Sequence, residues 1–422
     1  MREDLLHYLW RLRRFDQQNL ITTTGESVQI QQTGMLNTHA GPDFSNARIR
    51  IGETLWAGNV EMHLYASDWL SHRHQEDRAY DNVILHVVLD EDQPIFRKTG
   101  ERIPCLELKE HIPLRLTSTY QKLLHNEHWI PCQHHFHTVN EMTKNMWLDR
   151  LLVERLENKT TIIGQILADH DNNWEVAFYQ VLARNFGLKV NALPFELLAQ
   201  RTPLKVLAKH KNFLFQIEAL LFGQAGMLTE DVADDYAKRL KKEYGFLRKK
   251  YDLIPLKKEI WKFMRMRPAN FPTIRIAQFA YLIYRSQSLF SKVLEVKDLK
   301  EIYELFKVDL HHYWKEHYRF DQLTKIRNKT LGKTTINLLI INTIAPFMFL
   351  YGKLRGGEDY KDKALELLEQ LPPEKNSIID RWQGLGMEVD SAYQTQSLLQ
   401  LKNEYCSRKR CLECAVGNAI LR

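Results

Sequence analysis

The residues best suited to chemistry lie in two short segments near the start of the chain. Asp43 begins one strand-like segment, and Glu61 and His63 lie in a second, more apolar one. Side chains two positions apart on a strand point to the same face, so Glu61 and His63 should lie side by side. Two carboxylates that hold a divalent ion, with a basic group that orients or deprotonates water, are the parts needed for phosphodiester cleavage. The pattern therefore predicts a catalytic site of Asp43, Glu61 and His63, with Mg²⁺ or Mn²⁺ held by the two carboxylates.

The elements that must position this site form a small α/β module. An amphipathic helical pattern covers residues 3–15, and a polar helix or loop covers residues 67–81. Alternating or β-branched apolar runs predict strands at residues 20–23, 28–31, 43–51, 55–64 and 83–89. The order of helix, meander, helix and strand predicts a mixed sheet.

The rest of the chain has a different character. Beyond Pro131 strand signals are scarce, and long helical patterns occur, for example at residues 146–165 and 174–185. A chain of 422 residues also exceeds what one hydrophobic core usually serves. We therefore predict an α+β protein with two domains, an α/β domain at residues 1–130 and a mostly α-helical, basic domain at residues 131–422.

The two segments of the predicted site resemble a known nuclease signature. Residues 41–43 (Gly-Pro-Asp) and 59–63 (Asn-Val-Glu-Met-His) are similar to the motif of the PD-(D/E)XK nucleases, with His63 where the motif has lysine. The resemblance covers about the first 110 residues. It implies a restriction-endonuclease-like fold, a metal ion at Asp43 and Glu61, and a nucleic acid as substrate.

The histidine in the lysine position separates two interpretations. A neutral histidine can orient water or accept a proton, but it stabilises a developing negative charge less well than a fixed cation does. The first interpretation is a metal-dependent nuclease. The alternative is a catalytically inactive nucleic-acid-binding or scaffold protein with a nuclease-type fold.

The same three residues also have purely structural interpretations. Asp43 would cap a turn after a proline, and Glu61 would pair across the hairpin with Arg48 or Arg50. His63 would then be a hydrogen-bonded strand histidine. A carboxylate in so apolar a strand usually needs a partner, which favours the metal site over this alternative.

Further histidines follow closely in the sequence. His72 and His74 have the spacing of metal ligands and would form a transition-metal site with His63, with Asp68, Asp77 and His86 nearby. A polar, solvated helix is the commoner meaning of such a segment. His39 precedes the first motif and would reach the same cleft.

Three cysteines lie within nine residues near the end of the chain. Cys406, Cys411 and Cys414 give the spacing C-x₄-C-x₂-C, which suits Zn²⁺ or an iron–sulfur cluster. A fourth ligand would come from elsewhere, with Cys132 the first candidate and Cys105 the second. Some PD-(D/E)XK nucleases hold an iron–sulfur cluster with four cysteines, three of them near the C-terminus, and the pattern here is similar. The alternative is a group of reduced, buried thiols.

The charge of the chain is divided. Residues 1–130 carry a net charge of −4 and twelve of the 17 histidines lie before residue 138, whereas residues 131–422 carry +11. An acidic, histidine-rich front and a basic back suit a phosphate-bearing partner such as a nucleic acid. Within the back part, a proline-rich loop would present Arg267, Asn270 and Arg275 to an anion, or would brace two helices.

The chain as a whole is similar to a bacterial family of unknown function. The shared motifs lie at residues 40–44, 56–63, 267–272 and 405–406. This resemblance implies membership but no activity, because the family has none established.

The sequence also indicates where the protein works. The N-terminus lacks the apolar core and cleavage site of a signal peptide. The longest apolar stretch, residues 336–350, is interrupted by Asn337, Asn342 and Pro346. An odd number of cysteines, five, does not form a disulfide framework. We therefore expect a cytoplasmic protein without a membrane partner.

Overall fold

The chain forms two compact units in the computed structural model, which describes residues 2–228, 232–286 and 288–422. The first unit contains Met1–Trp147 and Leu401–Arg422, and the second contains Leu148–Gln400. The predicted boundary lay at residue 130 with everything after it in the second domain. The structure places the boundary after Trp147 and adds the cysteine-bearing C-terminal segment to the first unit.

The first unit is built around a mixed six-stranded sheet. The strands are β1 (Val28–Gln32), β2 (Met35–Leu36), β3 (Phe44–Ile51), β4 (Thr54–Tyr65), β5 (Val83–Asp90) and β6 (Cys105–Glu107). Their order in the sheet is β1-β3-β4-β5-β6, and β2 pairs with β3. The pairs β1–β3, β2–β3 and β3–β4 are antiparallel, whereas β4–β5 and β5–β6 are parallel.

The helices of the first unit are α1 (Glu3–Leu12), α2 (Asp68–Ser71), α3 (Leu114–His125) and the start of α4 (Glu141–Asp169). Short 3₁₀ turns at His74–Glu76 and Arg78–Tyr80 follow α2, and others lie at Lys109–His111 and Phe136–Thr138. A π-helical segment, Leu401–Cys406, and a last helix, Ala415–Ile420, complete the unit. The predicted first helix and the strands predicted at residues 28–31, 43–51, 55–64 and 83–89 are present, and a short helix with 3₁₀ turns lies within residues 67–81. The strand predicted at residues 20–23 is wrong, because the chain makes a tight turn there and only Ile21 forms an isolated bridge, with Ser27.

Strand β4 is central because it joins the antiparallel and parallel halves of the sheet. Its partner β5 has six consecutive buried residues, Val83–Val88, as expected for a strand covered on both faces. Gly58 allows the two strands to meet, since a Cβ there would lie 2.4 Å from Ile84 Cγ2 and 2.7 Å from the Asn82 carbonyl oxygen. Beyond this point the register continues with Glu61 opposite His86 and His63 opposite Val88.

Helix α1 packs its apolar face against β4. Leu5, Leu6, Leu9 and Trp10 are buried, and the Trp10 indole N–H donates a hydrogen bond to the Thr33 carbonyl (3.0 Å). The first turn of α1 therefore lies beside the sheet, and this placement brings polar residues of the helix to the middle of β4.

The C-terminal segment is held within the first unit by side chains from several points along it. Lys402 Nζ donates to the Trp129 carbonyl at 2.7 Å, and Lys409 Nζ donates to the carbonyls of Leu124 and Asn126. The rings of Trp147 and Tyr405 meet edge to face, with centroids 5.2 Å apart. These contacts bring the three clustered cysteines into the same unit as Cys132.

The second unit is mostly helical, which confirms the predicted α+β class with an N-terminal sheet and a helical remainder. After α4 come α5 (Trp174–Phe186), α6 (Leu188–Arg201), α7 (Leu204–Lys209), α8 (Leu214–Gln224), α9 (Asp235–Tyr251), α10 (Pro272–Arg285), α11 (Leu289–Glu295), α12 (Leu299–Leu305), α13 (His312–Glu316), the hairpin β7 (His317–Arg319) and β8 (Gln322–Leu323), α14 (Lys333–Leu339), α15 (Ala345–Arg355), α16 (Glu358–Gln370), α17 (Ser377–Gly384) and α18 (Ala392–Gln400).

One continuous helical stretch, Lys333–Arg355, is long and apolar enough to cross a membrane, but 72% of its most apolar window is buried inside the protein. Pro346 does not end this stretch, because it lies in the first turn of α15, which begins at Ala345 directly after the π-helical turn Ile340–Ile344. The apolar run is thus continuous as a helix and serves as part of the core.

A buried carboxyl group lies in the core of the second unit. Glu218 of α8 accepts a hydrogen bond from the Tyr236 hydroxyl at 2.7 Å and is 1% exposed. Burial raises the pKa of Glu218 to about 7 and outweighs the hydrogen bonds from Tyr236 and Trp314, which lower the pKa. The folded protein therefore keeps this carboxyl group protonated at a pH where the unfolded chain has lost the proton.

We predict that Glu218 makes the free energy of unfolding fall as the pH rises from about 4.5 to about 7. The stabilising contribution is complete below the unfolded pKa and is lost as the pH passes the folded pKa. Over this window, urea unfolding should show Glu218→Gln gaining about 3 kcal/mol relative to the original protein. A difference between the two proteins that does not change with pH would contradict the assignment.

Candidate metal centre

The two predicted carboxylates are held together by reciprocal hydrogen bonds. The Asp43 backbone N–H donates to Glu61 Oε2 at 3.0 Å, and the Met62 backbone N–H donates to Asp43 Oδ2 at 3.0 Å. This follows from the antiparallel register, in which Phe44 faces Val60 and the preceding Asp43 reaches Glu61. Glu61 is thus bound to Asp43 and not to Arg48 or Arg50, which face Ala57 and Leu55.

Helix α1 adds two residues that the sequence analysis did not select. Glu3 and His7 are four positions apart and therefore lie on one side of the helix. His7 Nε2 is 3.2 Å from Asp43 Oδ2. Ligand atoms of Glu3, His7 and Asp43 all lie within 4.8 Å of one another. The signal available in the sequence was the i, i+4 spacing of a carboxylate and an imidazole.

His63 lies deeper in the sheet, on the same face as Glu61. Its Nδ1 is 2.9 Å from His86 Nε2 on β5, and its Nε2 is 3.2 Å from His72 Nδ1. The Nε2 atom is also 3.6 Å from Glu61 Oε1. His63 is therefore a buried strand residue with polar contacts on both ring nitrogens.

The segment after α2 brings two more histidines to this point. His74 Nε2 lies 3.1 Å from Glu61 Oε1, and its ring stacks on Tyr80 with centroids 3.9 Å apart. His72 is exposed, so this side of the cluster opens to solvent. Ligand atoms of His63, His72 and His74 all lie within 4.8 Å of one another.

Other residues named near the site have separate roles. Asp68 accepts the Tyr65 backbone N–H at 3.1 Å, and Asp77 accepts that of Ala79 at 2.9 Å. His39 is exposed in the loop before Asp43.

The contacts described above gather eight residues into one cluster: Glu3, His7, Asp43, Glu61, His63, His72, His74 and His86.

The pKa values of the histidines in this cluster are shifted in opposite directions, because burial lowers them and nearby negative charge raises them. Burial, reinforced by the neighbouring histidines, lowers the pKa of His63 to about 2, and burial lowers that of His86 to about 3. Burial also acts against protonation of His7, but its hydrogen bond to Asp43 and the nearby carboxylates outweigh burial and raise the pKa. His63 is consequently neutral near pH 7, unlike the lysine of the nuclease motif.

The carboxyl groups are crowded. Burial raises the pKa of Glu61, and the charge of Asp43 adds to the effect, while the close contact with His74 opposes it. Burial and Asp43 likewise raise the pKa of Glu3. Several carboxylates in a partly buried site are more stable when a cation is present.

Four of the five cysteines form a second group of potential ligands in the same unit. All five are free and buried. Burial, together with the nearby Cys414 and Cys411, raises the pKa of Cys132 to about 12. Burial, followed by Cys132, Cys414 and Cys411, raises the pKa of the Cys406 thiol well above its usual value. Cys132 is therefore close to all three C-terminal thiols, whereas Cys105 lies on β6 beside Glu91.

The proline-rich loop of the second unit uses its arginine internally. Arg275 is 4% exposed and donates to Asn270 Oδ1 (2.6 Å), Thr335 Oγ1 (3.0 Å) and Gln278 Oε1 (3.1 Å). Arg267 is exposed at the start of the 3₁₀ turn Pro268–Asn270. Of the two predicted roles, bracing describes the contacts of Arg275, whereas binding of an anion by the exposed Arg267 stays a prediction.

The comparison with protein families gives one match. Residues 3–377 match the model of a family described as "Protein of unknown function (DUF2851)". The chain belongs to this family. The match confirms the predicted membership of an uncharacterised family and includes the entire cluster around Asp43 and Glu61. It ends before the three clustered cysteines of this DUF2851 member. No curated protein and no solved structure matches the chain.

We predict that Glu61→Gln raises the thermal unfolding midpoint of the metal-free protein. The amide keeps an oxygen for the Asp43 N–H but removes a charge that burial and Asp43 disfavour. Unfolding followed at pH 8 with a chelator should show a gain of about 2–4 °C for each kcal/mol relieved. The control, Glu53→Gln, changes an exposed carboxylate in the turn between β3 and β4. A lower midpoint for Glu61→Gln would contradict the prediction.

Proposed function

We propose that the protein is a metal-dependent phosphodiesterase of the PD-(D/E)XK nuclease type and that it acts on nucleic acid. The observation that carries this proposal is the reciprocal pairing of Asp43 and Glu61 through their backbone and carboxylate atoms. It holds a carboxylate at the head of β3 beside a carboxylate within β4, in the element order that this nuclease type has. Mg²⁺ or Mn²⁺ is the cofactor that such oxygen ligands suit.

The residues of the cluster divide the work of hydrolysis. Asp43 and Glu61 would hold the ion, and Glu3 and His7 have ligand atoms within 4.8 Å of one of Asp43. When bound, the ion supplies Lewis-acid polarisation of the phosphate and a lowered pKa of bound water. His63 takes the position of the motif lysine and, being neutral, would accept a proton from water or orient it.

Two neighbouring clefts of the first unit, one of them at the basic end of α1, support a nucleic acid as the partner. One, of about 380 Å³, is lined by Arg13, Arg14, Arg115 and Arg422, among other residues. The neighbouring cleft, of about 740 Å³, shares Arg115 and Arg422 and adds Lys122. Clustered arginine and lysine side chains bind phosphate backbones without sequence preference. In the second unit, taken by itself, the exposed Arg267 beside Asn270 is a further candidate for binding a phosphate.

The neutral state of His63 favours a second candidate function. Without a fixed cation near the phosphate, the same fold would bind nucleic acid without cutting it. In that case the protein is an inactive nucleic-acid-binding or scaffold member of the nuclease type. Cleavage assays separate the two functions.

We predict cleavage of single- or double-stranded DNA or RNA by the purified full chain with Mn²⁺ or Mg²⁺. Asp43→Asn and Glu61→Gln should each lower the rate at least about 100-fold, since each loses several kcal/mol of transition-state stabilisation. Glu53→Gln is the matched control and should cut normally. If the protein binds nucleic acid without cleaving it under any metal, the scaffold interpretation replaces the enzyme. If cleavage occurs but neither variant changes it, Asp43 and Glu61 are not the catalytic site.

We also propose that Cys132, Cys406, Cys411 and Cys414 hold a structural metal group. Zn²⁺ with thiolates at about 2.3 Å needs sulfur atoms roughly 3.8 Å apart. Across residues 2–228, 232–286 and 288–422, neither of the two groups with three or more ligand atoms within 4.8 Å includes a cysteine. Zn²⁺ and an iron–sulfur cluster both suit a group of four thiolates. Free cysteines also suit the reducing cytoplasm, which we propose as the compartment.

The cysteine group can be tested apart from cleavage. Protein purified without oxygen should contain iron and sulfide and absorb visible light, as iron–sulfur proteins do. Cys406→Ser or Cys132→Ser should lose most of this absorbance and lower the unfolding temperature. Cys105→Ser is the matched control, because Cys105 is buried elsewhere on β6. If the purified protein contains stoichiometric zinc instead, the cysteines hold zinc and not an iron–sulfur cluster. If it contains no metal, the cysteines form a group of buried thiols.

A further inference from the structure

We infer that His63, His72, His74 and Glu61 form a separate binding site for a transition-metal dication of the Zn²⁺, Fe²⁺ or Co²⁺ class. Three of these residues supply imidazole nitrogens, and the fourth supplies one carboxylate oxygen. The site lies on the opposite side of Glu61 from Asp43, because Oε1 faces the histidines and Oε2 accepts the Asp43 N–H.

The distances match those between ligands of a tetrahedral ion. Nitrogen and oxygen ligands at 2.0–2.1 Å from zinc place neighbouring ligand atoms about 3.3–3.4 Å apart. Here His63 Nε2 is 3.2 Å from His72 Nδ1 and 3.6 Å from Glu61 Oε1, and His74 Nε2 is 3.1 Å from Glu61 Oε1. The remaining nitrogen pairs among the three histidines are within 4.8 Å. Three of the six pairs of ligand atoms are thus already close to tetrahedral spacing, and Glu61 Oε1 contacts two of the three histidines.

The surroundings hold each imidazole in place. His63 turns its other nitrogen, Nδ1, to His86 Nε2, the kind of outer contact that usually fixes the tautomer of a ligating histidine. His74 is clamped between Tyr80, on which it stacks, and Trp69, which meets it edge to face. His74 Nε2 is buried, and its contact with Glu61 lacks hydrogen-bond geometry. A metal ion would give this nitrogen a partner.

The ligand set also selects the type of metal. Imidazole nitrogens suit zinc, iron, cobalt and nickel, whereas Mg²⁺ prefers oxygen. The neighbouring group of Glu3, His7 and Asp43 has two carboxylates and one imidazole, so this group would prefer a harder metal ion, one that binds oxygen ligands. Exposed His72 lies at the solvent side and would provide the route by which the ion enters. With this ion bound, His63 Nε2 would be a ligand and could not also accept a proton from water.

This inference concerns metal binding and stands or falls apart from the proposed cleavage. Chelator-treated full-length protein would be titrated with Co²⁺, whose visible absorption is intense in four-coordinate sites. We expect one equivalent of Co²⁺ to give this spectrum and Zn²⁺ to remove it. His72→Gln and His74→Gln should each weaken Co²⁺ binding at least 100-fold while leaving the folded spectrum of the protein intact, since neither residue belongs to a strand.

The matched control is His134→Gln. His134 belongs to another close histidine pair, with its Nε2 2.9 Å from His128 Nε2, but this pair is exposed on the surface. The control should bind Co²⁺ as the original protein does, and Asp43→Asn should retain the spectrum. Binding that persists in His72→Gln and His74→Gln, or that is lost only in His134→Gln or Asp43→Asn, would overturn the inference. Co²⁺ binding without nucleic-acid cleavage would uphold it and reject the nuclease proposal.

Discussion

Two backbone N–H groups, those of Asp43 and Met62, determine the character of the first unit. Each donates to the carboxylate of the residue on the other strand, so the side chains of Asp43 and Glu61 cannot separate unless β3 and β4 do. Two negative charges are thereby kept at a partly buried point of the sheet. Helix α1 on one side and the segment after α2 on the other must then supply groups that tolerate or balance those charges.

The pKa of each neighbouring histidine depends on its position relative to these carboxylates. His7 lies at the edge of the cluster against Asp43, where the carboxylate outweighs burial and the imidazole holds its proton more firmly. His63 lies deeper among other histidines, where burial lowers its pKa to about 2. The two histidines therefore differ in what they offer: His7 is a hydrogen-bond donor on one side of Glu61, and His63 offers a lone pair on the other side.

The sequence predicted the strands of the site well because their signals are local. The run at residues 83–89 matches Val83–Asp90, and the two-residue spacing of Glu61 and His63 correctly placed them on one face. Glu3 and His7 were not selected, because their spacing shows only that they share a side of α1 and not which element that side meets. His74 depends on the left-handed backbone of Arg73 and on stacking with Tyr80, neither of which has a clear sequence signal.

Long-range placement was harder to predict for a physical reason. Cys132 was the first candidate for a fourth ligand, and the structure brings it close to Cys406. The inclusion of Leu401–Arg422 in the first unit was nevertheless missed, since the contacts of Lys402 and Lys409 with distant backbone carbonyls leave no periodic pattern. Arg275 looked available for an anion because its sequence neighbourhood is polar, but three side-chain oxygens of its own unit already occupy it.

The discontinuity of the first unit also bears on how the protein forms during synthesis. Domains usually fold in the order in which they leave the ribosome. Here the sheet emerges first, but Leu401–Arg422, which completes its unit, follows the whole of Leu148–Gln400. At 5–20 residues per second, about 250 residues take roughly 13–50 s to make. The helical unit can therefore fold while the earlier one is still incomplete, and the nascent sheet must stay soluble, unaided or on a chaperone, until its closing segment arrives.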